Sequence, residues 1–416
     1  MPVTSESFEG LPLDVLSLIL KHVKKEDFKS LPVLRLVSKA MNALTEPMAF
    51  GTVSIKFTGD RMHCVRDQLS ALASGQGPNA RWTKRLHIAH LVPLKLDQHD
   101  GYEPEHYQYL FECQNELLVK SIQSLEGVTW ASFDAYDRDE KGPYLDVISS
   151  LAQLPKLESL SLLFSSHFDE VESLGLDSFS NLRRLRLIRQ PFTKPVMNEV
   201  RSMIVQSPDL EELTIETYTW QSVSGGGTTK ETPPDMESLF EDAIHKPNFA
   251  PRLLKFTIGN NSTLSSKSVP YFRSLTHLNI GPHYGKVEDT FWNALSHAEV
   301  VLHSLKLAVF TSAMIQYLTS YVGLNDLNIN CRYHDKETLA RQVFSSVLPH
   351  HRSTLQCLSF VEFTSSVWGI TEEHLECVTR CKALRTVALV CLPTECGNDL
   401  SIDMVRTLFS RYASSD

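Results

Sequence analysis

The chain lacks any run of about 18 apolar residues, so no helix of it is expected to cross a membrane. Its opening, MPVTSESFEG, has no basic start followed by an apolar stretch. No secretory leader is therefore read there, and a cytoplasmic or nuclear location is expected. Positive charge is scarce: 40 Lys+Arg stand against 49 Asp+Glu, a formal net charge of −9. Binding along a phosphate backbone needs a concentrated basic surface, so no nucleic-acid partner is expected. Eight cysteines in 416 residues, without a leader, read as reduced thiols and exclude a disulfide framework. Apolar residues form 42% of the chain, enough for a large buried core, which excludes a disordered polymer.

Motifs for catalysis and ligands are equally sparse. No nucleophile elbow, zinc-protease helix, dinucleotide fingerprint or kinase motif set occurs. Ser-Gly-Gly-Gly-Thr-Thr-Lys at 224–230 lacks the second glycine of a phosphate-binding loop and reads as a surface loop. Cys377, Cys381, Cys391 and Cys396 fall within twenty residues, but no Cys-x-x-Cys pair suits zinc. Cys381 reads instead as a small packed thiol, in the slot that Ser207 and Ala250 hold elsewhere. His350-His351 and His63 have no companions at ligand spacing. The chain is expected to be no enzyme, with no metal and no cofactor.

The first fifty residues have a pattern of their own. Leu16, Ile19, Leu20 and Val23 recur at helical spacing after Pro12 and Asp14, which suit a helix start. A short second segment surrounds Phe28 and Leu31, and Val33, Leu36, Val37, Ala40, Met41 and Leu44 predict a third helix up to Pro47. Three short helices carry more apolar area than they can cover, so part of it should await a partner. Charge is balanced here, six basic against six acidic residues in 1–50, so electrostatic attraction does not drive that partnership.

Leu11-Pro12, Val15-Leu16, Ile19-Leu20, acidic Asp27 before Leu31, and Leu34-Arg35-Leu36-Val37-Ser38-Lys39 together resemble the F-box motif over residues 8–50. The resemblance implies docking of a Skp-type adaptor, and through it a cullin-based ubiquitin ligase. By that resemblance Leu11, Pro12, Leu16, Ile19, Leu20, Val37 and Ser38 are expected on the adaptor surface.

The rest of the chain repeats a short phrase, apolar-x-x-apolar-x-apolar. Clear copies start at Leu157, Leu182, Leu210, Leu275 and Leu324; looser ones at Leu253, Leu302, Leu355 and Leu384; weak ones at Thr83 and Val128. Most intervals lie between 22 and 31 residues, and the two long ones, 45 and 43, read as insertions near 92–127 and 221–250. Each phrase predicts a short strand with alternate residues inward. Segments 197–205 and 238–244 between phrases predict helices, and Pro155, Pro208 and Pro251 each stop what precedes them. The whole resembles an irregular leucine-rich-repeat fold: an α/β solenoid of parallel strands on the concave side with helices outside. The repeat asparagine is missing nearly everywhere, Asn261 apart, so no asparagine ladder is assumed.

The expected organisation is an F-box over 1–50 and a repeat solenoid over 51–416. Two functions remain open: a substrate receptor of an SCF-type (Skp–cullin–F-box) ligase, or an interaction scaffold with the same docking surface. A target protein is expected on the outward strand positions. These are Arg85, His87, Trp130, Asp134, Arg184, Arg186, Glu212, Glu216, Lys255, His277, Asn279, Lys306, Asp326, Asn328 and Asn330.

Overall fold

The computed structural model describes residues 11–57, 62–91, 104–135, 141–164, 173–189, 193–216, 236–244, 252–259, 263–281, 286–307, 310–330, 337–361 and 372–389. The chain divides into two compact units, Met1–Ser178 and Phe179–Asp416. Both are α/β with parallel strands.

The first unit opens with α1 (Leu13–Glu26), a 3-10 turn (Phe28–Ser30), α2 (Leu31–Leu34) and α3 (Lys39–Ala49). It continues through β1 (Thr52–Lys56), α4 (Met62–Ala73), α5 (Pro78–Trp82), β2 (Arg85–Ala89) and α6 (Pro104–Gln123). It closes with β3 (Trp130–Ala135), α7 (Lys141–Ala152) and β4 (Ser159–Phe164). The four strands pair in chain order, all parallel. The third helix starts later than the apolar spacing predicts. Ser38 takes an extended backbone and its hydroxyl accepts the Met41 N–H at 3.2 Å, which places the cap there. Pro47 does not end this helix, which runs on to Ala49.

Leu20, Leu31 and Met41 form the core of the three helices, with Val23, Leu34, Leu44 and Met48 packed around it. Arg35 ties the helices together: Nε donates to Asn42 Oδ1 at 2.9 Å, Nη2 lies 3.7 Å from Glu46, and the guanidinium sits 4.4 Å from the Phe50 ring centroid. Glu46 also accepts the Trp82 indole N–H at 3.2 Å, joining α3 to α5. At Gly51 a Cβ would stand 2.7 Å from the Pro47 carbonyl oxygen, so the chain turns from α3 into β1 only without a side chain.

The second unit runs β5 (Arg184–Ile188), α8 (Lys194–Gln206), β6 (Glu212–Glu216), α9 (Glu241–Ile244), β7 (Lys255–Ile258) and β8 (Thr263–Leu264). Then come β9 (His277–Ile280), β10 (Lys286–Val287), α10 (Asp289–His297), β11 (Ser304–Leu307), α11 (Ser312–Thr319) and β12 (Asp326–Asn330). Last are α12 (Glu337–Gln342), a π turn (Val343–Val347), α13 (Leu348–His350), β13 (Cys357–Val361), α14 (Glu372–Thr379) and β14 (Thr386–Leu389). Its main sheet has the order β5-β6-β7-β9-β11-β12-β13-β14, parallel throughout, and β8 and β10 make a separate small pair. Thr193 and Thr311 cap α8 and α11 through their hydroxyls. The helix expected over 238–244 divides into a 3-10 turn, Met236–Leu239, and α9.

All eleven sequence phrases are strands, each starting two residues after its first apolar position. β1 was not expected, although Phe50, Val53 and Ile55 keep the same spacing. The second and third apolar positions point inward, as in Leu86/Ile88, Leu185/Leu187 and Leu327/Ile329, all buried. Aromatic side chains cover that inner face: Tyr144 of α7 stacks on Phe133 at 5.5 Å, and Phe344 on Phe360 at 5.3 Å. A backbone ladder links successive phrases. Before ten of the strands the preceding carbonyl accepts two N–H groups from the next phrase; Lys84, for example, receives Thr129 and Trp130 at 3.0 and 3.1 Å. Gly51 and Thr129 repeat this in the first unit, and Arg183, Glu211, Leu254, Thr276, His303, Asn325 and Gln356 in the second. Asn261 and Ala250 lie outside the described residues, as do Cys391 and Cys396 and the loop at 224–230. Among the described residues no helix is long and apolar enough to cross a membrane.

Candidate functional site

α1 is apolar on two sides. Leu16, Leu20 and Val23, at helical spacing, face inward, where Leu16 and Leu20 are 4% and 0% exposed. Val15 and Leu18, three apart on the opposite side of α1, are exposed, as are Leu11 just before the helix and Leu13 in its first turn. α2 and its link to α3 add Val33, Leu36 and Val37; Leu36 is 86% exposed and Val37 66%. Twelve large apolar side chains are exposed among the described residues, and eight of them, Phe28 included, fall in 11–37. Exposed aliphatics scattered singly mean little, but a concentration in one small helical segment is the kind of surface found at interaction sites.

The expected adaptor residues divide accordingly. Leu11, Pro12 and Val37 are exposed, and Ile19 and Ser38 half-buried. Against their expected surface place, Leu16 and Leu20 are buried in the free chain, where Leu20 packs in the helical core with Leu31 and Met41. Leu13, Val15, Leu18, Val33 and Leu36 are also exposed and were not among the expected residues. The signal was present in the sequence, since α1 holds apolar residues beyond one helical stripe.

The target candidates are in register across the strands. In the first unit Arg85 pairs with Trp130 and His87 with Ser132. The Arg85 guanidinium lies 4.5 Å from the Trp130 ring centroid. His87 shares a hydrogen bond between Nδ1 and the Ser132 hydroxyl, and its Nε2 lies 3.6 Å from Asp134.

In the second unit Arg184, Glu212, Lys255, His277, Ser304 and Asp326 form one row, and Arg186, Thr214, Thr257, Asn279, Lys306 and Asn328 the next. Arg184, Arg186, Lys255 and Lys306 are exposed; Glu212, Glu216, His277, Asn279, Asp326 and Asn328 are half-buried. Asn330, which by strand alternation shares the face of Asp326 and Asn328, is buried. Glu216 stands opposite Ile188 and not an arginine. The ion pair formed here is Arg183 with Glu211, one residue before each strand. Burial, then the nearby Lys255 charge, holds the His277 imidazole below its ordinary range.

Other candidate chemistry has ordinary packing. Cys381 is buried, and desolvation pushes its thiol up to about 11. His351 is buried with Nε2 2.8 Å from the Leu318 carbonyl, and burial lowers it to about 4.

Comparison with known families finds an F-box domain at residues 8–50. No curated protein matches the chain.

Proposed function

We propose that this chain is the substrate-recognition subunit of an SCF-type ubiquitin ligase. The concentration of exposed aliphatic side chains between Leu11 and Val37, inside the matched F-box domain, carries the reading. F-box domains typically bind Skp-type adaptors, and here Leu11, Leu18, Leu36 and Val37 offer an apolar surface with balanced charge around it. Residues 1–50 then form the docking domain, and 51–416 an irregular leucine-rich-repeat array whose outward strand positions hold a target protein. Parallel strands at repeat spacing and the carbonyl ladder support that assignment. Catalysis belongs to the partner subunits. This chain contributes proximity, holding the target at high effective concentration beside them, and needs no cofactor.

The test is affinity purification of the tagged full chain, followed by mass spectrometry of ubiquitin remnants. An adaptor and a cullin should be recovered together and lost when Leu11, Leu18, Leu36 and Val37 are all changed to Ser. At least one associated protein should lose ubiquitin and accumulate with that variant. Recovery of the adaptor without a cullin would replace this reading by a scaffold role.

A further inference from the structure

On the outer strand face of the first unit, the Arg85 guanidinium is stacked against the Trp130 indole. Such stacking holds the guanidinium plane still and leaves its N–H edge available for a planar, bidentate partner. Arg85 is exposed, and no carboxylate pairs with it among the described residues. The acid on this face, Asp134, stands in the row of Ala89 and is engaged by His87. A cation is thus held ready, in a chain that carries a net charge of −9.

The neighbours of Trp130 are short. Ser159 is its register partner on β4, and Ser132 and Ser161 follow in the next row beside His87, so the half-buried indole stands beside a low floor on its β4 side. Lys56, the other exposed cation of these rows, lies opposite Ala89, about 13 Å along the strands from Arg85. One guanidinium within reach suits a singly charged carboxylate. A phosphate, near −2, would call for a second cation beside it.

We propose that Arg85 and Trp130 form a docking site for an extended polypeptide segment with an acidic side chain close to an apolar one. The carboxylate pairs with the guanidinium edge, and the apolar group covers the free side of the indole above Ser159. This rests on the reading that the outward strand face holds the target, and it names the target's class. Arg85 contributes charge and geometry, and Trp130 contributes area and keeps the guanidinium in place.

The test selects random phage-displayed peptides against the full chain without any adaptor, then measures the enriched peptides by fluorescence polarisation. Enriched sequences should carry Asp or Glu within a few positions of Leu, Ile, Phe or Met. Arg85→Gln should weaken them about tenfold, as should Glu→Gln in the peptide, and the two changes together should cost little more than either alone. Trp130→Ala should weaken them as well, and Trp130→Phe should restore part of the binding if the alanine variant folds poorly. Enrichment without acids, equal binding by the Arg85→Gln chain, or preference for phosphoserine over glutamate in the same peptide would overturn the site. So would failure to enrich any peptide that depends on Arg85. Because no adaptor is present, these outcomes judge the docking site alone, whereas cullin recovery judges the ligase role alone.

Discussion

Truncating the most exposed aliphatics of the F-box segment should separate docking from folding. Leu36 and Val37 are 86% and 66% exposed, so Leu36→Ala with Val37→Ala removes little that the free chain buries. In the proposed adaptor complex the same atoms should leave water. At about 0.8 kcal/mol for each carbon transferred, scaled by the exposed fraction, truncation costs roughly 2 kcal/mol at Leu36 and roughly 1 at Val37. Together that is about 3 kcal/mol, or on the order of 100-fold in Kd. Isothermal titration of a purified Skp-type adaptor into the full chain measures the loss, and thermal melting checks that the fold is unchanged. Leu20→Ala is the opposite control. Leu20 is 0% exposed in the helical core, so its truncation leaves a cavity and destabilises the helices by about 3–5 kcal/mol. It should act through melting first and through binding second. Wild-type adaptor affinity in the folded double variant would refute the placing of the interface.

Three further outcomes follow from packing and titration. Gly51→Ala puts a methyl group 2.7 Å from the Pro47 carbonyl oxygen and should lower the urea midpoint of the full chain, by an amount on the order of 1–3 kcal/mol. His351 is held near 4 when folded against 6.5 when free, so only the unfolded state takes its proton between those values. Stability should therefore fall as pH drops from 6.5 to 4, by up to about 3 kcal/mol, and denaturant midpoints of His351→Gln should show a flatter acid limb. Native-state alkylation followed by peptide mapping should label exposed Cys64, while buried Cys113 and Cys381 react only after denaturation.

Side-chain periodicity made much of this molecule legible. The phrase at Leu157 or Leu324 marks a strand because two inward positions in a row of alternating residues must be apolar whatever the neighbouring repeats do. The helix starts at Ser38, Thr193 and Thr311 were not read from the sequence, although each rests on a hydroxyl whose cap bond spans only three residues. The F-box segment was readable because order, spacing and residue type agree across four short blocks, and a match at 8–50 stands beside that reading.

Non-local contacts set the rest. Leu18 and Leu20 are both leucines on one helix, and only the approach of Leu31 and Met41 decides that the second is core and the first surface. β1 hid in a sequence whose Phe50 also serves as the ring beneath Arg35, so one residue had two uses. Arg186 and Glu216 sit near each other in the repeat pattern, yet strand register puts Thr214 and Ile188 opposite them and gives the ion pair to Arg183 and Glu211. The repeats lack a regular asparagine ladder in sequence, and main-chain carbonyls link them nonetheless. Backbone groups are the same in every residue, so no side-chain pattern could announce that ladder. Local periodicity determines which segments become strands and helices; distance in space, which sequence order does not encode, assigns each side chain its partner.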